Sequence, residues 1–570
     1  MNPAPGHLLR DLESIHHAFG GRHAERKLAL LRQLQKTRLR SADAVLRLHE
    51  ALCFLRAYPD GPAVLAQVER MLRTFHRRED LQAHADALQD SGIAGTPIVY
   101  SFYAPTAEWL ARRWPKQLKV DWSEIEQPQL VEHLLPMLVL EAEIPALDEW
   151  AFDLDAWVRE LAGPHESDAS FLIRRFAALP ASAEIRQLLF EDSGITIRLK
   201  PGRDTPSRTA AGVPVRRVHW QRADLSGARP DLATAIHHRP LSVRPMSVSK
   251  GEQLIDQARI AMATRSRDLD VFAYGDPRDV RLVEWEDGLS FAVIGAVPER
   301  RLLLEAVYGF LTLKNGVPIG YVLNSALYGS AEIAYNVFDT YRGGEAAHIY
   351  GRVLATVRHL FHVDAFTIFP YQLGGHGNDE GLASGAWWFY QKLGFRARDR
   401  AVLSLMRSEL RKIRHDPRHR SSPSTLRTLA EENVYYYDGP SREDVIGILP
   451  LANAGLAVTR EMARRFGSDR EAALEACRLE AAARLGIAPS RGRRAGVVGS
   501  SPGERRAWDR WAPLVTVLPG LDRWSRAEKR ALVEVIRAKG GRRESEFVHR
   551  FDRHRKLRAA LRRLIARTAD

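Results

Sequence analysis

Cysteine is scarce in this 570-residue chain, which has only Cys53 and Cys477. Two cysteines cannot form a disulfide framework or a cysteine-rich zinc site, and such scarcity is typical of a reducing compartment. No apolar run approaches the roughly 18 residues that a membrane-spanning helix needs. The N-terminal MNPAPGHLLRDLES becomes charged before any stretch long enough for a signal peptide. The sequence therefore predicts a cytoplasmic protein.

Metal-ligand spacing and internal repeats are missing as well. The pairs His16-His17 and His237-His238 have no cysteine or carboxylate pattern nearby, so no metal site is predicted. No segment recurs at a fixed period, which argues against a solenoid or propeller. Apolar residues at 45% and charged residues at 27% are ordinary for a globular protein with a well-buried core. The length favours about three or four domains.

Positive charge is concentrated near the C-terminus. The formal net charge is +14, and residues 523–567 contain sixteen Lys and Arg against five Asp and Glu. Helical spacing predicts that apolar residues of this segment dock on the body while the basic residues point outward. Such a surface could contact phosphates of nucleic acid or of a phosphopantetheine carrier, or could be a solvated helix face. The docking residues are Phe547, Phe551, Leu557, Leu561 and Leu564.

Breaks in the apolar pattern divide the chain into five regions. Apolar residues at helical spacing predict a helical N-terminal region, with Ser41 as one helix cap. Proline and glycine then predict a linker or loop. The centre changes to short apolar runs between helices, which predicts an α/β or α+β domain with a mixed sheet, flanked by mainly helical regions. The predicted bounds are 1–199 for the helical region, 200–240 for the loop, 241–410 for the central domain, 411–488 for a second helical region and 489–570 for the basic helical tail.

The central region runs helix, three strands, helix, strand, helix. Asn315-Gly316 suits a tight type I′ turn between two of the strands, because both residues tolerate positive φ. The third strand leads through VFDTYRGGEAAHI into a helix. Free N–H groups and the positive end of the helix dipole receive phosphate well there, glycine permits close approach, and Arg342 could pair with the charge. A strand-to-helix turn without a ligand is the alternative.

A second motif, GAWWFYQKLGF, occupies residues 385–395 and predicts a helix that ends at Gly394. Its aromatic residues are typical of a core, although the Tyr390 hydroxyl at a pocket edge could donate a proton to a thiolate. Between the motifs lies GGHGNDEG, residues 374–381, a polar loop. It could be a lid, a surface loop, or a site for an acceptor molecule held by four polar residues. These residues are His376, Asn378, Asp379 and Glu380.

Together the motifs and the strand order resemble the GNAT superfamily of acyl-CoA-dependent N-acyltransferases. The resemblance covers residues 243–399, and its second motif matches Y-x-K-L-G-F from Tyr390 to Phe395. In the first motif Glu345 stands where the family has glycine when counted from Arg342, which places a carboxylate beside the expected diphosphate. Counting from Tyr341 restores the family's small residues. The cofactor-binding residues implied by the resemblance are Val337, Tyr341, Arg342, Gly343, Gly344 and Ala346.

The resemblance implies that acyl-CoA, such as acetyl-CoA, is the co-substrate and that an amine attacks its thioester directly. Tyr390 would then protonate the thiolate, and Glu332 on the third strand would take the proton of the amine. The amine could belong to a small molecule, a peptide or a carrier protein. Two alternatives stay open: aminoacyl transfer from charged tRNA, which the basic tail would assist, and a non-catalytic interaction protein that keeps the fold.

Overall fold

The computed structural model describes residues 5–225, 227–487 and 498–567. The first helices pack their apolar faces into the large core that also contains the main sheet. Ser41 caps the third helix by accepting a hydrogen bond from the Ala44 N–H at 3.2 Å, which confirms the predicted cap. These helices are α1 Pro5–Ile15, α2 Gly21–Lys36, α3 Ala42–Ala57, α4 Pro62–Arg73 and α5 Glu79–Ala83.

Residues 98–199 contribute most of a second apolar core, to which Ala263 of the central region also belongs. Six helices surround a small antiparallel sheet of order β1-β3-β2. The mainly helical region also contains these three strands, which the sequence did not predict because strands of three residues are too short to show an alternating pattern. The strands are β1 Ile98–Tyr100, β2 Leu118–Val120 and β3 Ile197–Leu199. The helices are α6 Ala104–Arg113, α7 Pro128–Leu138, α8 Ile144–Glu149, α9 Leu154–Ala162, α10 Asp168–Ala177 and α11 Ala183–Asp192.

The segment predicted as a loop, residues 200–240, is irregular in its described part apart from one short helix, α12, Leu232–Ala235. It lies against the body of the protein. The buried Arg56 guanidinium donates hydrogen bonds to the carbonyl groups of Arg208, Thr209 and Ala211. Backbone polar groups of the loop are thus satisfied by an N-terminal helix.

A nine-stranded sheet of order β11-β12-β10-β9-β8-β7-β6-β5-β4 forms the centre of the molecule. All neighbouring strands are antiparallel except β9 and β10, which are parallel. Asn315 and Gly316 have φ of 47° and 79°, as the predicted turn requires. The strands are β4 Ser242–Pro245, β5 Gly275–Glu284, β6 Leu289–Ala296, β7 Ala306–Lys314, β8 Val317–Leu327, β9 Ser330–Val337, β10 Ala365–Ile368, β11 Arg396–Ala397 and β12 Val434–Tyr437.

Helices cover the sheet and connect its strands. The crossover between the parallel strands β9 and β10 is a 16-residue helix, α15. The coarse fold prediction, a mixed α/β domain with helical flanks, is therefore confirmed. The helices are α13 Val248–Ala263, α14 Asp270–Ala273, α15 Ala346–Phe361, α16 Pro370–Leu373, α17 Asp379–Ala383, α18 Ala386–Lys392, α19 Arg400–His415 and α20 Pro423–Leu429.

The C-terminal helices pack on the sheet and on one another. All five predicted docking residues, from Phe547 to Leu564, are buried, which confirms that part of the tail prediction. The start of the predicted tail, residues 489–497, lies outside the described residues. Across the described ranges, no helix has the length and apolarity to span a bilayer. The helices are α21 Ala452–Phe466, α22 Arg470–Leu485, α23 Pro502–Val517, α24 Arg526–Lys539, α25 Ser545–Arg553 and α26 Arg555–Arg567.

Candidate functional site

The parallel strands β9 and β10 separate part-way along their length. They pair at three positions only, and the last pair is Thr367 with Glu332. β9 nevertheless continues and pairs with β8 as far as Val337. Residues 334–336 therefore have no strand partner on the β10 side, and their side chains are half-buried. We call this gap the β9–β10 opening. An extended ligand could add hydrogen bonds along such an edge.

Three tyrosines meet on the α15 side of the opening. The Tyr350 ring lies 5.2 Å from the Tyr335 ring and 5.5 Å from the Tyr390 ring, measured between centroids. The Tyr335 hydroxyl donates to the Ala346 carbonyl at 3.1 Å. The buried Tyr350 hydroxyl has no hydrogen-bond partner within the described chain. Burial raises the pKa of all three hydroxyls, so each remains a protonated donor.

Glu332 belongs to the last residue pair before the strands separate. Its side chain is on the opposite face from Tyr335, because the two residues are three apart on one strand. Burial, and secondarily repulsion from Glu305, raises the pKa of the Glu332 carboxyl to about 7. No described residue donates a hydrogen bond or forms an ion pair with this carboxylate. A carboxyl that titrates near neutrality has the properties of a general base.

The turn before α15 contains Gly343 and Gly344. Gly343 has a φ of 108° and open space where a Cβ would be, so only backbone strain requires glycine there. A Cβ on Gly344 would lie 2.4 Å from a methyl carbon of Leu225. Leu225, in the irregular segment before α12, thus covers this part of the turn. Substitution of Gly344 would consequently disturb packing as well as any contact with a ligand.

Arg342 is bound by two acidic side chains. Its guanidinium forms ion pairs with Asp339, at 2.5 Å, and with Glu380, and its Nε donates to the Val337 carbonyl at 3.0 Å. Glu380 also lies 3.2 Å from the Arg267 guanidinium. Hydrogen bonding from Arg342 lowers the pKa of Glu380. A phosphate at this turn would have to replace Glu380 between the two arginines.

The other predicted acceptor residues are differently placed. Asn378 caps α17, accepting from the Gly381 N–H at 3.0 Å and donating to the Tyr371 carbonyl at 2.7 Å, so its amide is already used. Asp379 is exposed and lies 3.5 Å from Arg427, and His376 is exposed. Of the four residues, Glu380 alone contacts the turn in the described structure.

Two residues of the first motif face the interior. Glu345 does not point at a diphosphate position, contrary to the expectation. Its carboxylate forms an ion pair with the buried Lys314 ammonium at 2.9 Å. Tyr341 is buried among α3 and its neighbours, and burial, then Cys53, raises the pKa of its hydroxyl. Both side chains anchor the turn, whereas Val337 and Ala346 border it at the end of β9 and the start of α15.

Sequence reasoning missed several residues around the opening. Tyr335 and Tyr350 complete the tyrosine cluster, and Arg267 reaches Glu380 from the segment after α13. The Asn336 Oδ1 is buried and has no partner within the described chain. A polar residue in the apolar run AEIAYNV could have indicated Asn336. Arg267 has no local signal, because only the tertiary fold brings it to the loop.

The arrangement combines a base, a buried proton donor and an open strand edge. No cluster of three or more His, Cys, Asp or Glu side chains suited to a metal occurs among the described residues. No protein-family model, curated protein or solved structure matches the chain. The Glu332 carboxyl and the Tyr390 hydroxyl are groups that can accept and donate a proton.

Proposed function

We propose that this protein is a GNAT-like N-acyltransferase that transfers an acyl group from an acyl-CoA to an amine. The observation that carries the proposal is the separation of β9 and β10 directly after Glu332. A thioester placed in the gap would have Glu332 on one face of the sheet and the Tyr390 cluster on the other. The resemblance of both motifs to the family supports the same reading.

The proposed reaction is a direct displacement. The amine nitrogen forms a bond to the thioester carbon, and the carbon–sulfur bond breaks. Glu332 accepts the proton from the nitrogen, and Tyr390 donates its proton to the departing sulfur. Backbone N–H groups of residues 335–337 polarise the carbonyl oxygen, and the N-terminus of α15 with Arg342 receives the diphosphate once Glu380 is displaced.

The pH dependence of the reaction tests the role of Glu332. We expect kcat/KM to rise with pH and to level off above about 7, because only the deprotonated carboxylate accepts a proton. Glu332→Gln should lower the plateau value of kcat/KM about 10²–10⁴-fold. It should also remove the rise of kcat/KM between pH 5 and 7, which we call the acidic limb. Rates measured with acetyl-CoA and a panel of amines, between pH 5 and 9, check the result.

Glu305→Gln is the matched control. It removes a like charge that raises the pKa of Glu332, so the limb should move to lower pH while the plateau is retained. If the limb persists in Glu332→Gln, the base is another group. If no acyl-CoA binds the parent protein in native mass spectrometry, the acyltransferase proposal fails.

The basic tail favours a second candidate function, aminoacyl transfer from charged tRNA. Trp524 packs against His554 with ring centroids 5.1 Å apart, and His554 contacts the Glu528 carbonyl at 2.9 Å. The segment before α24 therefore lies beside the start of α26. The helices around this contact carry many exposed basic residues, which suits a polyanion. They include Arg523, Arg526, Arg530, Arg553, Arg555, Lys556, Arg562 and Arg563.

Salt dependence tests this candidate. Binding of an RNA hairpin should weaken about 10³-fold or more between about 50 and 200 mM salt, if six or more phosphates are contacted. The double substitution Arg555→Glu with Lys556→Glu should weaken it further at low salt. Arg407→Glu with Arg411→Glu, exposed on α19, is the control of equal charge. If RNA affinity does not depend on salt concentration, or if both double variants lose the same affinity, this candidate function is excluded.

A further inference from the structure

A large cleft lies beside β5, β6 and β7 of the main sheet and is separate from the β9–β10 opening. Its volume is about 1200 Å³, and none of the opening's residues lines it. One wall is an irregular segment, residues 212–222, which we call the strap. The opposite side consists of α13 and of the ends of β5, β6 and β7. Ligand pockets are commonly about 300–1,000 Å³, so this cleft can accept an elongated molecule.

Hydrogen bonds hold the strap at both ends. At one end the Gly212 N–H donates to the Gln257 side chain at 3.0 Å, and the Val213 N–H donates to the Gly316 carbonyl at 2.8 Å. At the other end the His219 N–H donates to the Asn315 side chain at 2.8 Å. Residues 214–218 therefore arch over the cleft between two fixed points. The hydrogen bonds at both ends of the strap thus fix the wall of the cleft.

The floor of the cleft is apolar. Leu254 of α13, Leu289 of β6 and Leu313 of β7 line it, with exposures of 5%, 4% and 1%. The half-buried Leu282 of β5 and the ring of Trp220 extend this surface. Burial of an apolar chain against these side chains would be favourable in proportion to the area removed from water.

The acidic residues of the cleft already have cationic partners. The Glu284 carboxylate lies 2.9 Å from the Arg244 guanidinium, and Glu286 lies 3.3 Å from Arg352. Asp287 lies 3.6 Å from the His219 ring, a contact that is ionic when the ring is protonated.

The remaining cations of the cleft have no such partners. The side chains of Arg216, Arg217, Arg222 and Lys250 make no ion pair or hydrogen bond with the described residues, and all four are exposed. The rim is therefore positive, whereas the floor is apolar. This combination complements a ligand with a negative head and an apolar body.

We propose that the cleft binds an amphiphile that has one anionic head group and an extended apolar chain. The head lies against Arg216 and Arg217 on the strap, and the chain lies on Leu254, Leu282 and Leu313. The proposal does not depend on acyl transfer, since the two sites share no residue.

Calorimetry on the full chain with three probes tests the proposal. Dodecanoate has both chain and charge, dodecan-1-ol has the chain alone, and acetate has the charge alone. We expect one dodecanoate per chain, at least tenfold weaker binding of the alcohol, and no measurable binding of acetate. Arg216→Glu with Arg217→Glu should weaken dodecanoate binding tenfold or more. Arg203→Glu with Arg229→Glu, exposed in the same irregular segment but outside the cleft, should change it less than twofold.

A substitution on the floor separates specific binding from surface attraction. Ser290 is half-buried and lines the cleft, so Ser290→Phe should fill it and weaken dodecanoate binding without lowering the melting temperature. Equal effects of the two charge-reversal pairs, or unchanged binding in Ser290→Phe, would overturn the proposal. Failure of dodecanoate to bind would also overturn it.

Discussion

In the proposed acyl transfer, Tyr390→Phe is expected to bind acyl-CoA as the parent does and to turn over about 10²–10⁴-fold more slowly. The substitution removes only a hydroxyl that no described residue binds. Ring contacts with Tyr350, Phe389 and Phe395, at centroid distances of 5.5, 5.2 and 5.7 Å, should survive. Cofactor affinity should change little, because the proton matters most as negative charge develops on sulfur. Calorimetry with acetyl-CoA and steady-state rates on one preparation check both expectations.

Tyr350→Phe provides the matched control. Its hydroxyl is buried without a partner in the described chain, so its removal should leave stability unchanged or slightly increased. The rate should fall much less than in Tyr390→Phe. An equal fall in both variants would mean that the tyrosine cluster acts through packing. A markedly lower melting temperature of Tyr390→Phe would make Tyr390 a core residue and contradict its assignment as the acid.

Local signals were sufficient for some elements of the fold. Asn315-Gly316 specifies its turn through positive φ at both residues, and the apolar face of α15 follows from helical spacing. β5 was missed because GDPRDVRLVE is rich in charge and contains proline. Its Asp279 carboxylate accepts hydrogen bonds from the Tyr308 hydroxyl at 2.6 Å and from the Glu544 N–H at 3.1 Å. Partners that are distant in the sequence stabilise this charged strand, so its own residues do not predict it.

In the candidate site, too, local features were predicted from the sequence and tertiary contacts were not. The motifs located the turn and the tyrosine helix, since glycine, a helix start and a helix end are local features. They did not predict what each side chain contacts. Glu345 turns to Lys314, and Arg342 pairs with Glu380, because those partners come from other elements. The cover of Leu225 over Gly344 likewise depends on how the irregular segment before α12 folds back.

The buried Arg301 side chain joins the C-terminal helices to the sheet. Its guanidinium is 1% exposed and donates to four backbone carbonyl groups. One acceptor, Ala296, ends β6, another ends α24, and the other two directly follow α24. The Glu544 carboxylate lies 3.9 Å away and forms a 2.6 Å ion pair with the Lys539 ammonium. The other acceptors are Lys539, Gly541 and Arg542.

Arg301→Met is expected to loosen this junction strongly. Methionine has a similar length but no donors, so buried carbonyl groups lose their partner and Glu544 loses part of its compensating charge. Removing one partner of a buried ionic network typically costs about 3–5 kcal/mol. The opening free energy of the α24 and α25 amides, measured by native-state hydrogen exchange, should fall by about that amount.

The neighbouring substitution Arg300→Met distinguishes a buried network from a simple loss of charge. Arg300 is exposed, and its guanidinium contacts Gln187 at 2.8 Å and the Tyr274 hydroxyl. Exposed contacts of this kind contribute about 1 kcal/mol or less, so exchange in α24 and α25 should barely change. If Arg301→Met also leaves their exchange unchanged, the C-terminal helices are held by other contacts, among them the burial of Phe547 and Phe551. If both variants open the helices equally, the loss of one positive charge is sufficient, and burial of Arg301 has no separate effect.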